Sequence, residues 1–348
     1  MGICIIGHFG GGRTFNDGQT IKTRTIYEAL KAHNIADVDR VDTYYVKRNP
    51  LRFLYQLVSS AIRDKKYIVL LSSNGRRVLF PVLSWMSRVL QKDIYHYVIG
   101  GRLAKQARDN ERWRRYISSF QGNWVESTLL VDQLQAIGVK NAVYIPNFKN
   151  LRILSREELP ADYSEPFRLC TFSRVIPEKG IEDAVRAVRS INGKAGSPRV
   201  TLDIYGPVPG EYAERFRELL EQSRDCRYRG TVEPNKSVEA LKDYYALLFP
   251  TYWPGEGLPG TIIDALSAGL PVIAREWTYC GEILTHMETG YIYGSDQPEK
   301  LEDTIVYAVT HVKETAAMKP ACLRKAVQFS EPYVLKRILH EMGLPECQ

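Results

Sequence analysis

The chain has 348 residues, of which 44% are hydrophobic, 11% aromatic and 25% charged, with a formal charge of +7. That length predicts about two domains, each able to bury its own core. The composition excludes a disordered, collagen-like or low-complexity chain, and the positive charge predicts an anionic partner without naming it. In chain order, short β-rich runs at 3–7, 38–42, 67–71, 94–99, 122–126 and 142–145 alternate with helical patterns, such as Ile21, Thr25, Ala29 with Ile26 and Leu30. This alternation predicts βαβ units and a parallel sheet. The pattern lapses over 146–166, where three prolines and many polar residues read as a linker. It restarts with strands at 168–173, 200–205, near Tyr228, at 247–250 and at 271–274. Helices are expected from Gly180, from Glu211, over 237–245 and from Thr261, and three more after Pro298. The expected architecture is α/β, with two doubly wound Rossmann-like domains facing a central cleft. Their expected bounds are 1–165 and 166–330, with a helix in 331–348 packing back on the N-terminal domain.

The charge divides at that linker. Residues 1–165 hold 25 Lys and Arg against 15 Asp and Glu, a net +10, and the remainder holds 22 against 25, a net −3. The cysteines, Cys4, Cys170, Cys226, Cys280, Cys322 and Cys347, have neither metal nor disulfide-framework spacing, so a reduced, cytoplasmic protein is expected. The start MGICIIGHFGGG lacks the basic and long apolar regions of a signal peptide, and Ile6 stands where myristoylation needs Ser or Thr. The longest apolar stretches, such as 78–85, fall short of the roughly 20 residues that cross a bilayer.

Three segments carry candidate chemistry. Gly7, Gly10, Gly11 and Gly12 follow the first strand, where glycines let backbone approach a ligand and a following helix offers N–H groups to phosphate. Their spacing matches neither the dinucleotide fingerprint nor a P-loop, and a plain tight turn would use the same residues. The second segment is the loop Ser173-Arg174-Val175-Ile176-Pro177-Glu178-Lys179-Gly180. Two cations five positions apart on such a loop can converge on a diphosphate, Arg as a fork and Lys as a point charge. The third runs from Tyr252 to Ile273. Glu256 sits in a Gly/Pro loop after a strand, and Asp264 falls eight positions on, in the first turns of the next helix. The N–H groups around Leu258, Pro259, Gly260 and Thr261 crown that helix and suit an anion.

This third segment resembles the donor-binding signature of the retaining family-four glycosyltransferases of GT-B fold. Their pattern is Glu, seven residues, Glu, then Ala-x-Ala-x-Gly-x-Pro-Val-Ile. Here it reads Glu256, seven residues, Asp264, then Ala265-Leu266-Ser267-Ala268-Gly269-Leu270-Pro271-Val272-Ile273. The Ser-Arg-x-x-x-x-Lys-Gly loop, Ile204-Tyr205-Gly206 and Gly230-Thr231-Val232 match in the same order. The resemblance covers about residues 167–329, and the first domain matches only in architecture and in its glycine loop. It implies that Arg174 and Lys179 hold a nucleotide-sugar diphosphate and stabilise the leaving group. It further implies that Glu256 bonds the donor sugar, that Leu258 to Thr261 bind sugar and phosphate through backbone, and that Asp264, one methylene shorter than the family's Glu, takes the ribose. Gly206, Gly230 and Thr231 would meet the nucleotide, and Gly10 to Gly12 would close over the diphosphate. The donor anomeric configuration would be retained.

The expected activity is therefore transfer of a hexose, UDP-linked by preference, to a lipid-linked or polysaccharide acceptor of capsule, exopolysaccharide or lipopolysaccharide. No cofactor beyond the donor and no metal is expected, since Arg174 and Lys179 supply the charge a metal would. Asp37-Val38-Asp39 has the spelling of a metal motif but lies at a strand start, where it caps a turn. In the first domain, His96, Gly100 and Gly101 are candidates for the acceptor or donor sugar, although His96 reads equally as a buried histidine. Arg102, Lys105, Arg108, Arg112 and Arg115 form a basic helical stripe, interrupted by Asp109. It reads either as a solvated face or as contact with an anionic acceptor or the inner membrane surface. Three rivals compete with this expectation. A nucleic-acid-binding protein would carry a compact motif that is missing here, and no nucleic-acid partner is expected. A dinucleotide oxidoreductase would carry its fingerprint. A nucleotide-sugar epimerase of the same fold would form product without an acceptor.

Overall fold

The computed structural model describes residues 2–13, 17–33, 37–160 and 162–345. Cys347 lies outside them. The chain divides into two compact units, Met1–Asn150 with Phe329–Gln348, and Leu151–Gln328.

The first unit is built on strands β1 (Gly2–Gly7), β2 (Val38–Asp42), β3 (Asp64–Val69), β4 (Asp93–Tyr97), β5 (Gly122–Val125) and β6 (Ala142–Tyr144). They form one parallel sheet in the order β2-β1-β3-β4-β5-β6. Ile3, Cys4, Ile5 and Ile6 are all fully buried. A continuous apolar run is what a strand covered on both faces requires. The helix Gly18–Ala32 is capped by Asp17, whose carboxylate accepts from the Thr20 amide at 3.0 Å. The helix Glu331–Glu341 belongs to this unit. Its Val334, Leu335, Ile338 and Leu339 enter the core that holds Ile26 and Leu30, and Arg337 donates to the Tyr144 carbonyl at 3.0 Å.

The second unit holds β7 (Phe167–Phe172), β8 (Val200–Tyr205), β9 (Cys226–Gly230), β10 (Ala246–Phe249), β11 (Val272–Arg275) and β12 (Gly290–Tyr293). Its parallel sheet has the order β12-β11-β10-β7-β8-β9. Counted within the unit this is 3-2-1-4-5-6, the mononucleotide-binding arrangement, with the chain reversing direction between β7 and β10.

Four expectations need correction. The first unit ends near 150 rather than 165, because the apolar residues of the supposed linker pack on the second unit: Leu154 is buried and its amide donates to the Ser267 carbonyl at 3.0 Å. Strand β3 begins three residues early, since the helix Pro50–Arg63 runs into it with no loop between. Strand β12 was not anticipated, and four helices rather than three follow it: Lys300–Thr310, Val312–Ala317, Lys319–Ala326 and Glu331–Glu341. The basic stripe of 102–115 is not one helix but two, Leu103–Arg108 and Glu111–Ile117. Asn110 breaks it by capping the second helix, its side chain accepting from the Trp113 amide at 3.2 Å.

Candidate active site

In a doubly wound sheet, ligands bind outside the carboxyl ends of the strands where their order reverses. In the second unit that position lies beyond β7 and β10, and both loops singled out by sequence start there. The two loops are fastened together. The Tyr252 amide donates to the Glu178 carbonyl at 2.9 Å, and the Thr251 hydroxyl donates to the same carbonyl at 3.2 Å. Gly180 has φ 70°, and a Cβ there would lie 2.3 Å from the Pro250 carbonyl oxygen. Only glycine allows that approach.

This closeness brings Lys179 and Glu256 into contact, 77 positions apart in sequence. The Lys179 ammonium donates to Glu256 Oε2, with both side chains 11% exposed. Thr251 Oγ1 lies 3.1 Å from the same carboxylate oxygen and shares its single proton between it and the Glu178 carbonyl. Arg174 stands exposed, its guanidinium 5.5 Å from the centre of the Trp253 ring. Among the described residues it forms no ion pair. The site thus holds one cation aimed by an acid and a second cation open to a ligand.

The loop 250–260 is pinned at both ends. Trp277 Nε1 donates to the Gly257 carbonyl at 3.0 Å, and Thr261 Oγ1 donates to the Phe172 carbonyl at 2.6 Å. The helix Gly260–Ser267 begins after Pro259, and no side chain caps it. Its first-turn N–H groups, including those of Gly260 and Thr261, and its dipole favour a negative group there. A pocket of about 550 Å³ adjoins the group, lined by Thr251, Trp253, Pro254, Glu256, Arg275 and Trp277 among others. Leu258 is buried behind it.

The turn after β8 packs on the Arg174 loop. The Val175 amide donates to the Pro207 carbonyl at 2.9 Å, and the Gly206 amide donates to the Gly230 carbonyl at 2.8 Å. A Cβ on Gly206 would meet the Ser173 carbonyl oxygen at 1.7 Å. Gly206 and Gly230 therefore border the Arg174 loop, with Thr231 exposed beyond them.

Asp264 is 1% exposed, and Ser237 Oγ donates to its Oδ1 at 2.7 Å, which ties its helix to the start of the helix Ser237–Leu241.

The remaining sequence candidates belong to the first unit. Gly10, Gly11 and Gly12 all have positive φ, at 87°, 59° and 88°. Their loop is held by Asp42 at the end of β2. The Phe9 and Gly11 amides donate to its two carboxylate oxygens at 2.9 and 2.8 Å, so of the glycine amides expected to face phosphate that of Gly11 is committed. Beside the loop lies a pocket of about 440 Å³ whose lining includes Arg13, Arg24, Arg40 and Arg52.

His96 takes the place of a buried histidine, the second of the two readings its sequence position allowed. It is fully buried, its Nδ1 lies 3.2 Å from Asn123 Oδ1, and its ring meets Phe80 edge-on. Burial, reinforced by the Arg76 charge, pushes its pKa well below the ordinary histidine value, so the ring is neutral. Strand alternation turned it away from the face that carries Tyr95 and Tyr97. Gly100 and Gly101 are half-buried at the carboxyl end of the sheet. Two buried cations that sequence reasoning missed hold the backbone just before them. Lys22 donates to the Val98 carbonyl at 3.1 Å and pairs with Glu126 at 2.5 Å. Arg76 donates to the Ile99 carbonyl at 2.8 Å. Of the acids in Asp37-Val38-Asp39, Asp39 pairs with Arg63 at 2.7 Å.

Comparison with known proteins agrees with this geometry. Residues 166–311 match the family model for glycosyl transferases group 1. The two doubly wound sheets have GT-B architecture, and the second unit is similar to a group 1 glycosyl transferase domain. Over its whole length the chain resembles the crystal structure of HepE from Anabaena in complex with UDP and glucose. That likeness has a TM-score of 0.72 at 14% identity and covers 99% of each chain. Among curated proteins it is 26% identical over 176 residues to the GtfA subunit of the UDP-N-acetylglucosamine–peptide N-acetylglucosaminyltransferase of Streptococcus agalactiae. That match covers 50% of this chain and 33% of the relative. It is 27% identical over 181 residues to the GDP-mannose-dependent α-(1-6)-phosphatidylinositol monomannoside mannosyltransferase of Mycobacterium tuberculosis, covering 48% and 45%. The matches thus span a third to a half of these curated relatives.

Proposed function

We propose that the protein is a retaining glycosyltransferase that moves a hexose from a nucleoside-diphosphate sugar, UDP-linked, to a lipid-linked or polysaccharide acceptor in surface-glycan synthesis. The observation that carries the reading is the meeting of Lys179 and Glu256 beneath Arg174 at the reversal point of the second sheet. The donor diphosphate draws the Lys179 ammonium from Glu256 and binds Arg174 and the uncapped helix at Gly260 and Thr261. Glu256, released, accepts hydrogen bonds from donor sugar hydroxyls. The bond between the anomeric carbon and the diphosphate oxygen breaks, and the acceptor oxygen bonds to that carbon on the same face. Its proton passes to the leaving phosphate. Arg174 and Lys179 stabilise the charge that develops on the leaving group, which is electrostatic catalysis and fills the role of a divalent metal. Gly206, Gly230 and Thr231 border the nucleotide.

The arginine-lined pocket of the first unit supports an acceptor bearing phosphate or carboxylate. Five described cysteines are free and buried, and among the described residues no helix is long and apolar enough to cross a membrane. These support a place in the cytoplasm, with attachment at the inner membrane face through the exposed cations of 102–115.

A panel of nucleotide sugars, read by thermal stabilisation and slow donor hydrolysis, tests the proposal. One UDP-sugar should stabilise the protein and be turned over, with EDTA leaving the rate unchanged. Rearrangement of the sugar without acceptor would instead identify an epimerase. Indifference to every nucleotide sugar would reject the transfer reading.

A further inference from the structure

Two consecutive helices of the first unit, Pro50–Arg63 and Ser73–Arg88, turn large apolar side chains to solvent. On the first, Leu51, Leu54, Tyr55, Val58 and Ile62 are between 51% and 80% exposed. They fall within an arc of about 100° around the helix axis. On the second, Val78, Val82 and Trp85, continued by Val89 just past its end, are between 39% and 60% exposed. Each helix also has an ordinary buried side, Leu57 and Ser60 on one and Leu79, Phe80, Leu83 and Met86 on the other. A surface helix packed on a sheet should show polar residues opposite its buried stripe. These two are apolar on both sides.

The helices are neighbours. The connections β2 to β3 and β3 to β4 move the same way across the sheet, so right-handed crossovers lay both helices on one face. Their carboxyl ends are tied. Lys92 Nζ donates to the Asp64 carbonyl at 2.8 Å, and Lys65 Nζ donates to the Gln91 carbonyl. Nine large exposed apolar side chains thus lie on one face of the sheet, beyond the scattered exposure normal for a soluble protein.

The charge around this surface is mostly positive, with Asp39, Asp109 and Glu111 the acids beside it and Asp39 and Glu111 paired with Arg63 and Arg115. Neither helix contains Asp or Glu, while Lys47, Arg48, Arg52, Arg63, Arg77 and Arg88 are exposed on or beside them. Arg88 donates to the Arg115 carbonyl at 3.0 Å, which joins the surface to the helix Glu111–Ile117 and its exposed Arg112 and Arg115. The preceding helix adds exposed Lys105 and Arg108, with Arg102 just before it. An apolar centre with a cationic border fits the interfacial zone of an anionic bilayer, where side chains enter the acyl boundary and cations meet headgroups. A second copy of the chain would set like charges against one another across the same surface.

We propose that this two-helix face docks the protein on an anionic lipid surface, with Leu51, Ile62 and Trp85 entering the bilayer interface. It deepens the proposed peripheral attachment by shifting the insertion to these helices and leaving the 102–115 cations as its electrostatic border. It requires no glycosyl transfer.

The test uses the full chain and vesicles of phosphatidylcholine, alone or mixed with phosphatidylglycerol, in a sedimentation assay. Binding should need the anionic lipid and weaken as salt rises. Brominated acyl chains should quench Trp85 fluorescence, and the Trp85→Phe variant should lose that quenching. The pair Leu51→Glu with Ile62→Glu should weaken binding by more than about tenfold while the melting temperature holds, because both positions face solvent. Reversing Arg108 and Arg112 to Glu should weaken it less. Equal binding to neutral vesicles, or undiminished binding by the Leu51/Ile62 variant, would overturn the proposal. So would a dimer seen by light scattering that the same variant dissolves, since the face would then belong to a second copy. Donor-induced thermal shift, measured on the same variants, should be unchanged. Its loss in the wild type would count against the transfer reading and leave the lipid result standing.

Discussion

At the carboxyl end of the first unit's sheet, charged side chains hold backbone: Lys22 (itself locked to Glu126) and Arg76 bind the carbonyls before Gly100, and Asp42 binds the amides of the glycine loop. At the same end of the second unit's sheet, charged side chains hold each other or face solvent, as Lys179, Glu256 and Arg174 do. Two sheets of related winding therefore spend their ions differently. A charge satisfied by backbone is fixed in place, whereas a charge satisfied by a movable side chain can be handed to a ligand. The comparison separates scaffold from chemistry more sharply than net charge does, because the more cationic half of the chain buries part of its excess.

The comparison predicts its largest effect on stability in the first unit. Lys22→Ala takes the ammonium from Glu126 in a site where the two side chains are 4% and 10% exposed, which should cost about 3 kcal/mol in urea denaturation. A loss below about 1 kcal/mol would mean that the pair behaves like a surface ion pair and the contrast fails. In the second unit, Arg174→Ala or Glu256→Gln should lower turnover by about 10²–10³-fold with little change in melting temperature. A variant that melts early would move these residues to the scaffold side.

Asp264→Ala should be felt in stability, about 1 kcal/mol, since the Ser237 hydroxyl must then turn from the carboxylate to the Pro234 carbonyl 3.1 Å away. A donor-binding defect with unchanged stability would assign Asp264 to the nucleotide.

The smallest effect is a pH slope. Lys319 is 2% exposed, near the Tyr244 and Gly269 carbonyls at 3.4 Å each, and burial lowers its pKa to about 8. Its folded pKa lies below the unfolded value of 10.5, so the unfolded chain binds more protons between those limits. Stability should therefore rise as pH climbs through that window, and Lys319→Met should remove the rise. A slope that survives the substitution would assign it to another group.

Much of this was legible in the sequence where local pattern and tertiary demand agree. The strands 38–42 and 200–205 were bounded as observed, since apolar run and turn residues coincide there. The loops at Ser173 and Tyr252 were readable because special residues cluster at strand ends. What escaped depends on partners distant in sequence. β12 is four residues opening on a glycine, too short to show a period. The burial of His96 is decided by Phe80 and Asn123. The tie that holds Asp264 needs Ser237, 27 positions upstream. Nor could Lys22 be told from its solvent-facing neighbours until Glu126, 104 positions on, was placed beside it.

The most direct test of the account is the thermal shift produced by a UDP-sugar in the wild type and in Lys179→Ala. A clear stabilisation of the wild type should be lost in the variant, each shift being measured from that protein's own ligand-free melting temperature, which Lys179→Ala lowers by baring the half-buried Glu256 carboxylate. Equal stabilisation of both would contradict it, because the diphosphate would then be bound without the cation that Glu256 holds ready.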